Sequence, residues 1–298
     1  MNITELSAFR LKPWFSERVW GKRDLRPWYA DTGTTELVGE AWLTGPQCVV
    51  ETGPFAGETL TKVGDNIGGE FPLLVKILFP AEKLSVQVHP DDAQARTMGE
   101  TRGKTECWYV LESEPGATVA LGLKEGVGAA EVLASVSDGT MESLLQHVPV
   151  EVGDMLFVDA GTVHAIGPGV VLLETQQTSD VTYRLYDYGR PRELHLEKGL
   201  AVMKTHTKAG KVVPRAIGCF TRLIEEQYFV VDRYDIAAGG SASLENLSAG
   251  CVVGLNGVGA IDGVEVRPGQ AVVLLKGAAK VESVGGLTFM WCWEPPHS

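Results

Sequence analysis

Cysteine is scarce in this sequence of 298 residues and forms no recognisable pattern. No CxxC pair or disulfide-framework spacing relates the five cysteines, which are Cys48, Cys107, Cys219, Cys251 and Cys292. This excludes a small disulfide-stabilised scaffold and favours reduced thiols in the cytoplasm. Apolar runs long enough to span a bilayer are also missing, and the opening residues MNITELSAFR lack the apolar stretch of a secretory signal. We therefore expect a cytoplasmic protein that makes no membrane contact.

Positive charge is also in short supply. Lys and Arg number 26 against 38 Asp and Glu, which gives a net charge of -12 at pH 7. Because nucleic-acid surfaces need clustered Lys and Arg, this balance excludes a nucleic-acid partner. A small anionic substrate is still compatible, since it needs only a local positive pocket. The chain also lacks a GxxxxGK[ST] phosphate loop.

Glycine, by contrast, is abundant, with 35 residues, and this favours frequent turns. Several short runs are rich in β-branched or aromatic residues and are bounded by Gly, Pro or Asp. These runs predict strands at residues 72–79, 83–89, 105–112, 117–123, 154–160 and 169–177. Many short strands with frequent turns predict an all-β protein built as a sandwich or barrel.

Helical patterns are fewer and short. Apolar residues at helical spacing predict helices at 90–98, within 129–148 with a break at Asp138-Gly139, and at 192–203. The basic, Pro-containing stretch 204–218 is the predicted linker. We therefore predict a first domain over 1–208, with a short helical insertion at about 125–148 and a closing helix at 192–203. A second, smaller all-β domain is predicted over 215–298.

The two predicted domains share an internal similarity. The segment VEVGDMLFVDAGTVH (150–164) aligns with VRPGQAVVLLKGAAK (266–280). The aligned pairs are Gly153 with Gly269, Gly161 with Gly277, and His164 with Lys280. This predicts two related barrels, of which only the first keeps the polar residue.

Two further patterns concern the second domain alone. The run VVGLNGVGAI predicts a hairpin around Asn256-Gly257. The aromatic segment FMWCWEPP (289–296) is predicted to form core and edge of the second barrel, with a dimer contact as the alternative.

Polar residues on the predicted strand 83–89 raise the question of what they bind. Because side chains alternate along a strand, Ser85, Gln87 and His89 point to one face. Glu106 begins another strand, and His164 lies in the Gly-flanked segment GTVHAIG. A Gln, two His and a Glu form a reasonable ligand set for a divalent metal. The four other histidines, which lack neighbours of ligand type, are predicted to be ordinary polar residues: His147, His195, His206 and His297.

The order of these residues resembles the cupin pattern, a polar pair on one strand, a later Glu and then G-x5-P-x-G-x2-H. In this chain the last motif runs from Gly153 to His164, with Asp159 where the pattern prefers Pro. More specifically, QVHPDD, GKTECWYVL, GTVHAIG and TYRLYDYGR…RELHLEKGL resemble, in order, the blocks of the type I phosphomannose isomerases of the short bacterial kind. RVWGKRDL and GEAWLTG resemble that family's first blocks more loosely.

The resemblance implies two cupin-type jelly-roll β-barrels with a few short helices on the first. It also implies one Zn²⁺ per chain, held by Gln87, His89, Glu106 and His164, and a cytoplasmic enzyme of carbohydrate metabolism. The implied reaction interconverts mannose 6-phosphate and fructose 6-phosphate through an enediol. The expected partner is therefore the sugar phosphate alone, for a monomer or a homodimer.

The resemblance also places Arg184 and Lys104 in the active site. Arginine is a poor base because it stays protonated, so Arg184 is expected to hold a phosphate or an enediolate oxygen. The alternative for Arg184 is an ion pair with Asp187 or Asp180. Glu174, on the strand after His164, is the favoured base or orienting residue. Lys104 either binds phosphate or assists proton transfer, and Ser85 is a further phosphate-binding candidate.

Two other functions stay open from the sequence. A metal-dependent cupin oxidoreductase of dioxygenase type would use a redox metal, usually with more His ligands than this chain offers. A sugar-phosphate-binding regulator without catalysis would need the same pocket but no proton carrier.

Overall fold

A computed structural model describes residues 8–67, 69–246, 248–275 and 277–296 of the chain. Most of these residues are in strands or in the turns between them. His297, which is predicted to be an ordinary polar residue, and residues 1–7 lie outside the described residues. None of the helices within these ranges is long and apolar enough to cross a membrane.

The first part of the chain forms strands and one helix. Their bounds are β1 (Ala8–Lys12), β2 (Trp14–Lys22), β3 (Val38–Trp42), β4 (Val49–Val50), α1 (Leu60–Ile67) and β5 (Leu73–Leu78).

The middle part carries the remaining helices. Its elements are β6 (Val86–Val88), α2 (Asp92–Thr97), β7 (Glu106–Ser113), β8 (Thr118–Leu123), α3 (Ala129–Asp138), a 3-10 helix (Met141–Leu144), β9 (Leu145–Pro149), β10 (Met155–Val158), β11 (His164–Ile166), β12 (Val170–Gln177), β13 (Tyr183–Tyr186), α4 (Leu196–Val202) and β14 (Gly210–Val212).

The last part is made of strands alone. They are β15 (Arg215–Ile217), β16 (Phe220–Glu225), β17 (Val230–Ile236), β18 (Ser241–Asn246), β19 (Gly250–Ile261), β20 (Val264–Val266), β21 (Ala271–Leu274) and β22 (Gly277–Trp293). The prediction of an all-β protein with a few short helices is confirmed.

Internal contacts divide the chain into two compact units. The central unit contains residues 18–22 and 78–212, and the terminal unit contains the described residues of 1–17, 23–77 and 213–298. These units differ from the predicted ranges 1–208 and 215–298 mainly in the assignment of residues 23–77. The predicted domain boundaries stay a prediction.

Two antiparallel groups of strands build the central unit. One runs in the order β14-β10-β7-β12 and the other in the order β13-β6-β11-β8-β9. A core formed by both groups lies between them, with Trp108 and Leu156 from the first group and Leu121 and Ile166 from the second. The outer face of the β13-β6-β11-β8-β9 sheet is apolar as well and is covered by α3 and α4. Polar side chains on the inner face therefore sit inside a sandwich whose other inner positions are apolar.

Two of the predicted helices are shorter than expected. The first helical segment expected within 129–148 ends at Asp138, at the predicted break, because Gly139 adopts a left-handed conformation with φ 78° and closes the last turn. The second segment forms only the short 3-10 helix Met141–Leu144. The residues after the 3-10 helix form β9, which pairs with β8. The prediction of helix over 145–148 is therefore wrong. The closing helix is α4, which covers only Leu196–Val202 of the predicted 192–203.

In the terminal unit, the predicted hairpin at Asn256-Gly257 is wrong. Strand β19 runs without a turn from Gly250 to Ile261 and pairs with β22 along its length, with irregularities on either side of Gly257. Gly257 has φ +76°, and a Cβ there would lie 2.0 Å from the carbonyl oxygen of Gly286. Glycine is therefore required here because two strands approach each other closely at a bulge, and not because the chain reverses its direction.

The internal similarity has a counterpart in the backbone. Gly153 and Gly269 both adopt left-handed φ angles, at 96° and 77°, just before β10 and β21 respectively. Gly161 and Gly277 also share this conformation, with φ 91° and 120°. Because non-glycine residues avoid this region, the aligned glycines meet the same backbone requirement in both units.

The aromatic tail is core rather than edge. Phe289 is fully buried, and its ring stacks on that of Tyr234 at 4.9 Å between centroids. Its strand, β22, pairs with β17 on one side and β19 on the other, so the predicted edge position is wrong. The prediction of a core position is confirmed for residues 289–292, whereas residues 293–296 are half-buried or exposed.

We expect Phe289→Ala to lower the free energy of unfolding by about 3–5 kcal/mol, because it leaves a cavity among buried side chains. Urea unfolding monitored by circular dichroism measures this loss. Thr288→Ala, which removes a partly exposed side chain on the neighbouring position, serves as the control. A loss below about 1 kcal/mol for Phe289→Ala would contradict a core role for this ring.

Candidate metal centre

Three polar residues face one another across neighbouring strands of the central unit. In the sheet register, Gln87 on β6 lies opposite Arg184 on β13 and opposite His164 on β11. Directly opposed residues project to the same face of a sheet. His164 also lies opposite Leu121, which belongs to the core between the two strand groups. Gln87, His164 and Arg184 therefore project from the inner face.

Glu106 comes from the facing group of strands. It is the first residue of β7, and it lies opposite Val158 of β10, another member of the inner core. Its side chain is fully buried. Glu106 Oε1 is 3.4 Å from His164 Nε2, and Glu106 Oε2 is 3.7 Å from His89 Nε2. Glu106 of β7, His164 of β11 and His89, which directly follows β6, thus meet at one point inside the sandwich.

Backbone carbonyls fix the tautomer of both histidines. His89 Nδ1 lies 2.8 Å from Val181 O, and His164 Nδ1 lies 2.9 Å from Thr162 O. A carbonyl oxygen only accepts, so each Nδ1 carries the proton and donates it. Each Nε2 then keeps a lone pair that is directed at Glu106, which is the arrangement found for metal-binding imidazoles.

Burial keeps His164 neutral. It lowers the pKa of His164 to about 4, and the positive charge of Lys104 acts in the same direction. The hydrogen bond to Thr162 and the negative charge of Glu174 oppose this shift. At neutral pH the imidazole is therefore unprotonated at Nε2 and available as a ligand.

The amide of Gln87 completes the set. Its Nε2 lies 3.2 Å from His164 Nε2, and its Oε1 lies 3.4 Å from Ser85 Oγ. The two ends of an amide have nearly the same shape, so a half-turn about the last torsion brings the oxygen to the same place. In that orientation Gln87 offers an oxygen next to His164 Nε2.

The residues present fit a divalent metal ion. The ligand atoms of His89, Glu106 and His164 all lie within 4.8 Å of one another, and all three residues are buried. Ligands at about 2.0–2.2 Å from a tetrahedral Zn²⁺ are separated by about 3.4 Å. The distances of 3.4 and 3.7 Å between Glu106 and the two Nε2 atoms are close to this value. Two imidazoles, one carboxylate and an amide oxygen are also donors that suit zinc.

Lys104 and Glu174 lie around these four residues. Lys104 Nζ is 3.3 Å from Glu106 Oε2, and the side chain is buried. Glu174, on β12, lies opposite Trp108 of β7 and accepts a hydrogen bond of 3.2 Å from Trp108 Nε1. The Trp108 ring also meets the His164 ring edge-on at 5.5 Å between centroids. Both candidate proton carriers thus belong to the inner face that holds the metal centre.

Arg184 occupies a crowded positive region. Its Nη1 donates to Glu193 O at 2.7 Å. Burial lowers the pKa of Arg184, as do the charges of Arg192, Arg190 and Arg18, while Asp187 raises it. The described ion pairs of Asp187 are with Arg190 and Arg192 rather than with Arg184. The alternative of an ion pair between Arg184 and Asp180 stays a prediction.

His195 accepts a hydrogen bond from the backbone N–H of Arg184 at 3.2 Å, as expected for an ordinary polar residue. Sequence reasoning did miss one neighbour of the metal centre. Trp108 was not singled out, although its position two residues after Glu106 places it on the same face. The hydrogen bond from Trp108 to Glu174 on the neighbouring strand has no sequence signature. In the hydrogen bonds described for them, His147 contacts Glu142 and His206 contacts Thr205. This is expected for polar residues outside a site.

Comparison with known proteins shows which family this chain resembles. The model of the type I phosphomannose isomerase catalytic domain matches residues 47–126, a range that contains Gln87, His89, Lys104 and Glu106. Mannose-6-phosphate isomerase ManA of Bacillus subtilis (strain 168) is 40% identical to this chain over 263 residues, which covers 78% of this chain and 80% of ManA.

Solved structures agree with this similarity. The crystal structure of the mannose 6-phosphate isomerase from Bacillus subtilis matches with a TM-score of 0.85 and 29% identity, over 96% of this chain and 99% of that chain. A mannose 6-phosphate isomerase described as a zinc-bound holo form matches with a TM-score of 0.74 and 17% identity, over 96% and 100% of the two chains. The second similarity is one of fold alone.

Proposed function

We propose that this chain, which belongs to the type I phosphomannose isomerase family, is a zinc-dependent isomerase that interconverts mannose 6-phosphate and fructose 6-phosphate. The observation that carries the proposal is the meeting of His89, Glu106 and His164 at ligand distances beside Lys104. An isomerase of this kind must hold a phosphorylated sugar, stabilise negative charge and move one proton between neighbouring carbons.

Gln87, His89, Glu106 and His164 would hold the zinc ion. One carboxylate and three neutral ligands leave about one net positive charge on the site, counting formal charges. Bound there, Zn²⁺ supplies a Lewis acid without redox chemistry, which stabilises negative charge on a sugar oxygen. The remaining steps are carried by the side chains of the chain itself.

The proton at C2 of the aldose is weakly acidic, so its removal needs both a base and a stabilised oxyanion. Glu174 is the proposed base or orienting residue, held by the indole N–H of Trp108. It would take the proton from C2 and return it at C1, through an enediol. Lys104, placed against Glu106, is the proposed donor to the sugar oxygens or to the phosphate.

Arg184 is the proposed anchor for the negative end of the substrate. The nearby charges of Arg18, Arg190 and Arg192, which act on Arg184, support this role. Asp187 pairs with Arg190 and Arg192, and Glu82 pairs with Arg190. A local excess of positive charge is what a phosphate needs in a chain of net charge -12. Ser85, whose Oγ lies 3.4 Å from the Gln87 amide, is a further proposed phosphate contact. A cytoplasmic monomer or homodimer completes the proposal.

A coupled assay for fructose 6-phosphate production tests the function directly. We expect turnover of mannose 6-phosphate, loss of at least about tenfold after chelation, and recovery when Zn²⁺ is added, because the proposed charge stabilisation depends on the ion. Metal content measured on the same samples provides the control. Bound iron with oxygen uptake would instead favour an oxidoreductase, since two histidines and one carboxylate also suit non-haem iron. Sugar-phosphate binding without turnover in the zinc-loaded protein would favour a regulator.

A further inference from the structure

The segment that carries Lys104 is held by its own backbone. Three successive N–H groups, those of Gly103, Lys104 and Thr105, each find an acceptor in a different place. Gly103 donates to Asp92 Oδ1 at 2.8 Å, Lys104 to Pro90 O at 3.0 Å, and Thr105 to Gln177 Oε1 at 2.9 Å. Gln177 also donates its own backbone N–H to Thr105 O at 3.2 Å.

The two side chains in this arrangement are bonded to each other. Gln177 Nε2 donates to Asp92 Oδ1 at 2.9 Å, so one carboxylate oxygen of Asp92 accepts from both Gln177 and Gly103. Gln177 is buried at the end of β12, and Asp92 is the first residue of α2. The pair therefore joins a strand and a helix through the segment that precedes β7. We call Asp92 and Gln177 the clamp.

Close packing leaves the clamped segment little room. A Cβ at Gly103 would lie 2.6 Å from Asp92 N and 2.6 Å from the carbonyl carbon of Asp91. Real Cβ atoms do not approach backbone atoms this closely, so only glycine lets the segment rest on the start of α2. The clamp hydrogen bonds and this steric contact fix the same stretch of backbone.

Lys104 and Glu106 depend on that stretch. The position of the Lys104 Cα decides which region the amine can reach, because the flexible side chain extends from that atom. Lys104 Nζ reaches Glu106 Oε2 at 3.3 Å, and Glu106 in turn reaches the two histidines. A shift of about 1 Å in catalytic groups can cost about 100-fold in rate. Neither Asp92 nor Gln177 is among the proposed ligands, so the clamp acts on the site by placing other residues, and Lys104 and Glu106 are those that follow the clamped backbone directly.

We infer that Asp92 and Gln177 are positioning residues of the isomerase reaction, which place Lys104 and Glu106 by holding the backbone of Gly103–Thr105. This inference rests on the proposed function. Asp92 is the second Asp of QVHPDD, and Gln177 is the last Gln of LETQQ. Neither composition nor strand periodicity indicates this positioning role.

The test compares two substitutions at Asp92. Asp92→Asn keeps an oxygen that accepts from Gly103 and Gln177, whereas Asp92→Ala removes it, and both lose the charge. We expect kcat of zinc-loaded Asp92→Ala to fall about 10- to 100-fold, the range typical of residues that orient metal ligands, and Asp92→Asn to stay within about threefold of wild type. Amide hydrogen exchange at residues 103–105 should be faster in Asp92→Ala and unchanged in Asp92→Asn.

Gln177→Glu provides a second variant that keeps the acceptor for Thr105. It places two carboxylates against each other at the position of the 2.9 Å bond, so kcat should again fall at least about tenfold with faster exchange at residues 103–105. Gln94→Ala, which removes the capping partner of Asp91 in the same helix, is the matched control for destabilisation of α2. It should leave kcat per bound zinc within about threefold of wild type.

Equal losses of kcat in Asp92→Ala and Gln94→Ala would overturn the inference, because they would indicate general destabilisation. Near-wild-type kcat in both Asp92→Ala and Gln177→Glu would overturn it as well. Failure of the proposed function is a separate outcome, seen as a wild-type protein without isomerase turnover. In that case faster exchange at residues 103–105 in Asp92→Ala alone supports the clamp, and unchanged exchange rejects it.

Discussion

Replacing Glu106 by Gln is expected to lower kcat/KM by about 1000-fold. Glu106 is the only anionic member of the proposed ligand set, and its two oxygens lie 3.4 and 3.7 Å from the Nε2 atoms of His164 and His89. Lewis-acid stabilisation by a metal is worth several kcal/mol, and about 4 kcal/mol corresponds to about 1000-fold in rate. Neutralising the carboxylate weakens the hold on the metal and therefore removes most of this stabilisation.

Gln is the appropriate replacement because the site is buried and already contains a lysine. An amide oxygen still accepts from Lys104 Nζ, which lies 3.3 Å from Glu106 Oε2, so the amine is not left without an acceptor. Zinc per chain, measured by elemental analysis after dialysis, should fall together with kcat/KM. Addition of excess Zn²⁺ should restore activity only in part, since the charge of the ligand set is changed.

Glu112→Gln is the matched control for this experiment. Glu112 lies on the same strand, β7, opposite Val171. The substitution removes one negative charge and leaves the proposed ligands unchanged. It should keep both zinc content and kcat/KM within about threefold of wild type. If Glu106→Gln instead keeps full zinc and more than a tenth of the activity, Glu106 is not the anionic ligand and the proposed centre is wrong.

Strand periodicity predicted the local half of this site. The alternation of Ser85, Gln87 and His89 on one face follows from the two-residue repeat of a strand, and it needs no tertiary contact. In the structure, only Val86–Val88 are assigned as β6, yet Gln87 lies on the inner face opposite His164. A short apolar strand bounded by Pro90 is therefore enough to place these side chains.

The rest of the site depends on sheet pairing, which a single sequence does not encode locally. Glu106 comes from the facing group of strands, 17 positions after His89, and its approach to the histidines depends on how two sheets pack. Only the resemblance to a family placed these residues together. The carbonyls of Val181 and Thr162, which set the histidine tautomers, are backbone atoms and leave no residue signature at all.

Misassigned elements show the same limit. The run TMESLLQHV has apolar residues at helical spacing, yet its second half pairs with β8 as a strand, because tertiary pairing outweighs a weak local preference. Asn256-Gly257 has the residues of a tight turn, but β22 is long enough to pair with the whole of β19. Glycine permits a left-handed φ, and the partner strand decides whether this becomes a turn or a bulge.

Glu174→Gln is expected to slow exchange of the C2 hydrogen of mannose 6-phosphate with solvent by about 100- to 10 000-fold, the range that general acid–base groups contribute. Glu174 is buried on the inner face, and its negative charge acts on His164, so it belongs to the same electrostatic environment as the metal centre. The amide keeps the size of the side chain and still accepts from Trp108 Nε1, but it has no basic oxygen.

Lys104→Met, measured in parallel, separates the two proposed roles. Methionine keeps most of the length of the lysine side chain and removes its charge, so a lysine that binds phosphate should show a raised KM with a smaller change in C2 exchange at saturation. A lysine that carries the proton should instead show slowed exchange comparable to that of Glu174→Gln. Thr175→Ser, on the opposite face of β12 from Glu174, is the control and should leave exchange within about threefold of wild type.

The exchange measurement isolates proton transfer because it reports the C2 proton even when product release limits turnover. If Glu174→Gln slows exchange less than about tenfold while Lys104→Met slows it more, Lys104 is the proton carrier and Glu174 an orienting residue. If neither variant slows it by tenfold, both assignments are wrong. If Glu174→Gln does slow exchange, Trp108→Phe tests whether the orientation of that carboxylate matters. Phenylalanine keeps an aromatic ring beside His164 and removes the 3.2 Å hydrogen bond, so slower exchange with unchanged zinc content assigns the effect to that orientation.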